Sequence, residues 1–131
     1  MNCKVFYECW QMQCCGDPFK ISDTIKWTVV KDYQLILSDD VTLDDLDYVY
    51  EAHDHTAELF NFTWVVKRIW GLYEKFEPSD KDPNFPLIPI HGELVEIDSV
   101  DGWEEPIGEL EITGYVVDLE DCSVTRLGSK E

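Results

Sequence analysis

Alternating apolar and polar positions predict that most of this chain forms β-strands. The clearest alternation runs from Thr24 to Val30, where Ile25, Trp27 and Val29 share one face. This pattern predicts a strand with one buried face, because successive side chains of a strand point to opposite sides. The segment Lys4–Trp10 carries apolar residues at both parities and predicts a first strand that is partly buried on both faces.

The second half of the chain carries three further strand patterns. Residues Phe62–Tyr73 are aromatic and β-branched, which predicts a central strand that is apolar on both faces. A shorter strand is predicted within Gly92–Val100, and a last clear strand over Leu110–Leu119. The apolar parity of this last segment changes at Gly114, which predicts a β-bulge there.

One segment has helical rather than alternating spacing. The apolar residues Leu43, Leu46, Val49 and Tyr50 recur every three or four positions. Thr42 precedes them, with an acidic residue three positions later, as in a capping box. The pattern therefore predicts one α-helix around residues 43–53.

Prolines interrupt the chain between the predicted central strand and the strand that follows it. The residues concerned are Pro78, Pro83, Pro86 and Pro89. Proline has no backbone N–H to donate to a strand ladder, so we expect an extended Pro-rich loop over residues 77–90.

These elements predict a mainly β (α+β) fold. We expect a small curled sheet or β-barrel of five to seven strands, with the helix of residues 43–53 inserted or packed across one end. A length of 131 residues predicts a single domain spanning 1–131.

Composition changes the picture mainly through charge. The chain has 28 acidic and 10 basic residues, a formal net charge of −18. Such a charge repels phosphate backbones and anionic lipid headgroups, so we expect no direct binding to nucleic acid or membranes. It attracts basic protein surfaces, although it serves solubility as well.

Cellular location is predicted from the N-terminus and the cysteines. No basic segment followed by an apolar stretch stands at the N-terminus, and no apolar run is long enough to span a membrane. The five cysteines are an odd number, which favours reduced thiols. We therefore expect a cytoplasmic protein.

Cysteine and histidine residues raise the possibility of a metal site or of thiol catalysis. Zinc requires about four such ligands in a tetrahedron, and a nucleophilic cysteine requires a neighbour that lowers its pKa. We expect no cofactor as the simpler interpretation, in which the adjacent cysteines are small buried residues at a tight turn. The alternative is a zinc site or a small metal- or thiol-based enzyme built from Cys14, Cys15, His53, His55 and His91.

Acidic and aromatic residues favour a different function. Tryptophan is a frequent anchor of protein interfaces, and acidic side chains around it would select a basic partner. We therefore predict a non-enzymatic acidic protein-binding domain, such as an inhibitor, an immunity-type protein or an accessory factor. A structural or regulatory domain without a basic partner is a third interpretation. The predicted partner-binding residues are Trp70, Trp103, Asp44, Asp45, Glu104 and Glu105.

Several segments resemble an uncharacterised bacterial family, DUF6578. The resemblance rests on a Trp-Gln, Cys-Cys-Gly and Pro-Phe series within Tyr7–Phe19, followed by Ser22–Trp27. It continues through Tyr50–His53, Asp101–Trp103 and Gly114–Leu119. The resemblance implies a compact bacterial domain and carries no activity to transfer.

Two positions depart from the family pattern. Cys9 stands where the family often has an acidic residue before Trp-Gln, and Ser22 stands where it often has glycine. The serine suggests that the turn at residue 22 does not require a positive φ angle.

Overall fold

Eight strands and one short helix make up the described part of the chain. The computed structural model describes residues 3–30, 40–41, 43, 46–50, 60–78 and 87–126, with the backbone alone for residues 15, 60–62 and 121–126. The elements are β1 (Cys3–Glu8), α1 (Cys9–Cys15), β2 (Phe19–Lys20), β3 (Thr24–Val30), β4 (Tyr48–Tyr50), β5 (Phe60–Pro78), β6 (Leu87–Ile97), β7 (Ser99–Val100) and β8 (Glu111–Arg126).

Six of these strands form one mixed sheet in the order β3-β4-β1-β8-β5-β6. The β1–β4 pair is parallel and the other pairs are antiparallel. An additional pairing of β3 with β5 closes five of the strands into a ring. Strand β6 pairs with the part of β5 that lies beyond the end of the β3–β5 pairing. Strands β2 and β7 form a separate two-stranded sheet. The prediction of a mainly β fold is confirmed.

Strand alternation separates two apolar clusters. The larger one includes Val5, Tyr7, Trp64 and Tyr115. The smaller one lies on the opposite parity of the same strands and includes Phe6, Leu72 and Val116, with Leu43 and Leu46 packed against it. Strand β1 is thus buried on both faces, as its sequence predicts.

Aromatic rings fill one end of the larger cluster. Tyr7 stacks on Tyr50 with ring centroids 3.8 Å apart. Trp27 meets the rings of Tyr7 and Phe19 edge-on, each at 5.1 Å between centroids. Such edge-to-face pairs add to the burial energy, so these aromatic residues stabilise the closure of the ring of strands.

The strand predictions are largely confirmed. The β3 strand spans Thr24–Val30, and β5 contains the predicted central strand and extends to Pro78. The ladder between β5 and β8 shifts register beside Gly114, since Leu72 is opposite Gly114 whereas Tyr73 is opposite Ile112. This irregularity confirms the β-bulge that the parity change predicts.

The prediction of a helix around residues 43–53 is wrong. Tyr48–Tyr50 form β4, and the helix of the described chain is α1, at Cys9–Cys15. Tyr-Val-Tyr suits a strand, and its pairing with β1 and β3 overrides the helical spacing of the leucines before it. Hydrogen bonds between Lys4 and Asp47 fix where β4 begins. Thr42, Asp44, Asp45 and residues 51–53 lie outside the described residues.

Both ends of the predicted loop over residues 77–90 are strands instead. Glu77 and Pro78 belong to β5, and Leu87–Ile90 belong to β6. Pro89 is tolerated because β6 is an edge strand, with a register shift next to Pro89. Residues 79–86 lie outside the described part of the chain.

The expectation that the turn at residue 22 does not require a positive φ angle is wrong. The φ angle of Ser22 is +80°, so the turn between β2 and β3 does use the left-handed region. Hydrogen bonds from Ser22 N to Val66 O and from Val66 N to Asp23 O, both 2.8 Å, hold the turn against β5. The backbone contacts therefore impose a conformation that a serine side chain disfavours.

Replacing Ser22 with glycine is expected to stabilise the protein. Glycine removes the cost of a Cβ atom at positive φ, and the expected gain is about 0.5 kcal/mol after its greater freedom in the unfolded chain is subtracted. Urea unfolding measures the change. Ser22→Ala is the control, because it keeps the Cβ atom and should bring no gain. A glycine variant that is less stable than the serine protein would contradict this account.

Candidate functional site

The segment from Asp101 to Leu110, which we name the 101–110 loop, connects β7 to β8. Its flanking residue Val100 and its last residue Leu110 are buried. Between them, Trp103 is 70% exposed and Ile107 is 44% exposed. The loop therefore presents two large apolar side chains between two buried attachment points.

The first half of the loop is fastened to helix α1. Gly102 has a φ angle of +89°, which turns its carbonyl group toward the helix. That carbonyl oxygen accepts hydrogen bonds from Gln13 Nε2 at 2.8 Å and Cys9 Sγ at 3.5 Å. Cys9 and Met12 are buried three positions apart on α1, and a Cβ atom at Gly102 would lie 3.0 Å from Met12 Cγ. The helix and the loop thus pack closely at this glycine.

Glu104 holds the backbone beside Trp103. Its carboxylate accepts a hydrogen bond from Tyr115 Oη at 2.5 Å and another from Asp101 N at 2.9 Å. Asp101 in turn accepts a hydrogen bond from Trp103 N at 2.8 Å. Hydrogen bonds to charged acceptors are stronger than neutral ones, so these contacts fix the loop firmly.

The second half of the loop is closed by its own backbone. Ile107 and Leu110 exchange two N–H to O hydrogen bonds of 2.9 Å each. Gly108 supplies the positive φ angle that this turn requires. Lys75 Nζ lies 2.9 Å from Glu109 Oε2, and this contact raises the pKa of the lysine and lowers that of the carboxyl group.

Beneath the loop lies a line of buried polar groups. Cys9 Sγ lies 3.6 Å from Tyr115 Oη, which donates to Glu104. Burial raises the pKa of Tyr115 far above its usual value, and the hydrogen bonds to Glu104 and Cys9 raise it further. Burial also raises the pKa of the Cys9 thiol. The thiol is therefore held in its neutral form, which is a poor nucleophile.

These shifts predict a loss of stability in alkali. The pKa of Tyr115 and that of Tyr7, both raised mainly by burial, lie above the value of 10.0 for a free tyrosine. Below about pH 10, the two tyrosines keep their protons in both the folded and the unfolded protein, so their contribution to folding stability is fully present there. Above about pH 10, the unfolded chain releases these protons and the folded chain does not. We expect the free energy of unfolding to fall as pH rises past this point.

Phenolate absorbance during an alkaline titration checks this expectation. Tyr7 and Tyr115 should ionise only together with unfolding, as followed by tryptophan fluorescence. The Tyr115→Phe variant should lose one late-ionising group. Early ionisation of all tyrosines while the fold persists would contradict it.

The predicted partner-binding residues occupy different settings. Trp103 and Glu105 are exposed on the 101–110 loop, whereas Glu104 is half-buried and hydrogen-bonded to Tyr115. Trp70 is half-buried against the smaller apolar cluster, and Arg68 Cζ lies 4.9 Å from its ring centroid. Asp44 and Asp45 lie outside the described residues.

The predicted metal ligands are only partly described. Cys14 is exposed, and its Sγ donates to Gln11 O at 3.6 Å. The side chain of Cys15 and all of His53 and His55 lie outside the described part. His91 contacts Asp40 through Nδ1 and lies 3.7 Å from Glu93 through Nε2. Among the described residues, no group of three or more His, Cys, Asp or Glu side chains could hold a metal ion.

Three residues of the site were not predicted from the sequence. Gln13 and Cys9 both contact Gly102, from which they are 89 and 93 residues distant in the chain. Tyr115 contacts Glu104, which lies 11 residues before it. No local pattern in the sequence predicts contacts of this kind. Asp-Gly, the pair at residues 101–102, is typical of turns, and the structure places the 101–110 loop there.

Comparison with known proteins identifies the family of the chain. A family model described as a family of unknown function, DUF6578, matches residues 1–121. The chain belongs to the DUF6578 family. No curated protein and no solved structure matches it. In this DUF6578 protein, two segments that carried the resemblance, Tyr7–Phe19 and Asp101–Trp103, meet through the hydrogen bond between Gln13 and Gly102.

Within the described residues, no helix has the length and apolar character needed to cross a membrane.

Proposed function

We propose that the protein is a non-enzymatic binding protein that recognises a basic protein partner through the 101–110 loop. The observation that carries this proposal is the exposure of Trp103 on a backbone that is fastened on both sides. A backbone that is already fixed loses little conformational entropy when the side chain it carries is bound, which favours affinity. Tryptophan is also among the residues that contribute most to protein interfaces.

The charge around the loop supports a basic partner. Asp101, Glu105, Glu109 and Glu111 are exposed, and the chain as a whole carries −18. Opposite charge on a partner accelerates association, and like charge disfavours nucleic acid and anionic membranes. The proposed role is therefore that of an inhibitor, an immunity-type protein or an accessory factor in the bacterial cytoplasm.

Affinity capture with matched variants tests the proposal. Tagged wild-type protein is expected to retain a basic protein from its host's lysate at low salt and to release it at high salt. Trp103→Ala is expected to weaken retention at least about tenfold, the loss typical of an interface anchor. Trp10→Ala is the control, because Trp10 is 49% exposed on α1 and outside the loop.

Two results would contradict the proposal. One is that nothing is retained even at low salt. The other is that the Trp103→Ala and Trp10→Ala proteins retain the same partner equally well. In the second case the charge alone would account for capture.

A further inference from the structure

Strand β6 is the edge of the six-stranded sheet. It pairs with β5 along one side, and no described strand pairs with its other side between Gly92 and Ile97. An edge of this kind presents backbone N–H and C=O groups that can accept another strand.

Two hydrogen bonds show which backbone groups point outward. Gly92 N donates to Asp40 Oδ1 at 3.0 Å, and Asp98 O accepts from Ile21 N at 3.0 Å. Neither partner belongs to β5, so both groups face away from the sheet. Outward groups alternate along an antiparallel strand, so the N–H and C=O groups of Leu94 and Glu96 face the same way.

The contact at Gly92 also shows what the edge can accept. The Asp40 carboxylate oxygen occupies the position that a carbonyl oxygen of an added strand would take. The turn at Ile21 covers the other end, at Asp98. Five residues of β6 lie between these two points, so the stretch is long enough for about five residues of an extended chain, at roughly 3.3 Å per residue.

We propose that this edge binds an extended segment of a partner protein by strand addition, with basic side chains in that segment. Leu94 is 43% exposed beside it and favours an apolar neighbour, while the exposed Glu93 and Glu96 favour lysine or arginine. Glu96 also contacts Arg68, with 3.3 Å between Nε and Oε2. A second copy is disfavoured as the occupant, because it would bring two chains of charge −18 together. This surface goes beyond the proposed function and does not depend on Trp103.

A peptide of alternating valine and lysine with blocked ends is the probe. Amide hydrogen exchange by NMR is expected to show fast exchange at Leu94 and Glu96 in the free protein, with protection when the peptide is added. Glu93 and Val95, whose amides face β5, should be protected throughout. The control peptide has the same sequence but is N-methylated at every residue, which removes the N–H donors from both of its edges and keeps its charge. It should bind at least about tenfold more weakly.

A pair of protein variants gives a second, independent measurement. Leu94→Pro removes an outward N–H group without removing a bond to β5, and is expected to weaken binding about tenfold. Leu94→Val keeps that N–H group and should stay within about threefold of wild type by the same reasoning.

Three outcomes would overturn the proposal. The N-methylated and unmodified peptides could bind equally, which would show that electrostatic attraction alone accounts for the binding. The Leu94→Pro protein, if folded, could bind as wild type does. Sedimentation could show a dimer that Leu94→Pro disrupts, which would make a second copy the occupant. If Leu94→Pro does not fold, the comparison of the two peptides still decides.

Discussion

Replacing Gly114 with alanine is expected to destabilise the protein by about 2–3 kcal/mol, the cost of overpacking a core. A Cβ atom at this position would overlap Cζ of Phe6, and would lie 2.8 Å from Cε1 of that ring and 3.1 Å from Tyr7 O. Gly114 lies opposite both Glu8 of β1 and Leu72 of β5. The added methyl group must therefore displace a buried aromatic ring or separate two paired strands.

Urea unfolding followed by tryptophan fluorescence measures this cost. Gly108→Ala is the control, because no atom lies within 4 Å of the Cβ position there and its φ angle is +60°. That variant should lose only about 1 kcal/mol, from the backbone conformation alone. The difference between the two variants isolates the steric contribution at Gly114.

A double-mutant cycle with Phe6→Leu identifies the cause. The smaller side chain should relieve the overlap, so Gly114→Ala should cost at least about 1 kcal/mol less in the Phe6→Leu protein than in wild type. Strictly additive effects would show that the ring is not the obstacle. A cost below about 0.5 kcal/mol in wild type, which is usual for surface substitutions, would contradict the packing itself.

The same glycine shows how far the sequence determines the fold. The parity change at Gly114 is a local pattern, and it correctly predicts the bulge. The bounds of β3 are equally local, because its alternation is uninterrupted. Tyr48–Tyr50 differ, since their strand conformation comes from pairing with β1 and β3, which are distant in sequence. A helical spacing of leucines cannot report such a pairing.

The candidate site likewise combines features that local sequence patterns predict with features that depend on residues distant in the chain. Residue type alone indicates Trp103 as an anchor, and the Asp-Gly pair indicates a turn beside it. The sequence also selects Glu104 for its charge and predicts it at an interface, whereas the structure turns its carboxylate inward to Tyr115. The direction of a loop side chain depends on which buried donor lies beneath it. That donor comes from β8, and no pattern within the loop specifies it.

Glu104→Ala is expected to loosen the 101–110 loop and to lower the stability of the protein by about 2 kcal/mol, the usual loss for a hydrogen bond to a charged group. The substitution removes the acceptor of both Tyr115 Oη and Asp101 N. Tyr115 is fully buried, so its hydroxyl group would lose its carboxylate acceptor away from solvent. Glu105→Ala is the matched control, because Glu105 is the exposed neighbour and should cost less than about 0.5 kcal/mol.

Chymotrypsin cleavage after Trp103 reports the loop separately from the whole fold. The native loop must open before a protease can bind it, so cleavage follows the free energy of local opening. A loss of about 2 kcal/mol at this point corresponds to roughly 30-fold faster cleavage of Glu104→Ala than of Glu105→Ala. Equal cleavage rates in the two variants would show that Glu104 does not hold the loop.

The pair of variants also separates rigidity from charge in the proposed binding function. Glu104→Ala and Glu105→Ala remove one negative charge each, so both should weaken long-range attraction to a basic partner to a similar extent. Only Glu104→Ala releases the backbone that carries Trp103, and ordering it again on binding costs free energy. A partner that dissociates faster from Glu104→Ala than from Glu105→Ala would therefore recognise a pre-organised tryptophan. Equal dissociation from the two would leave the acidic surface as the determinant of binding.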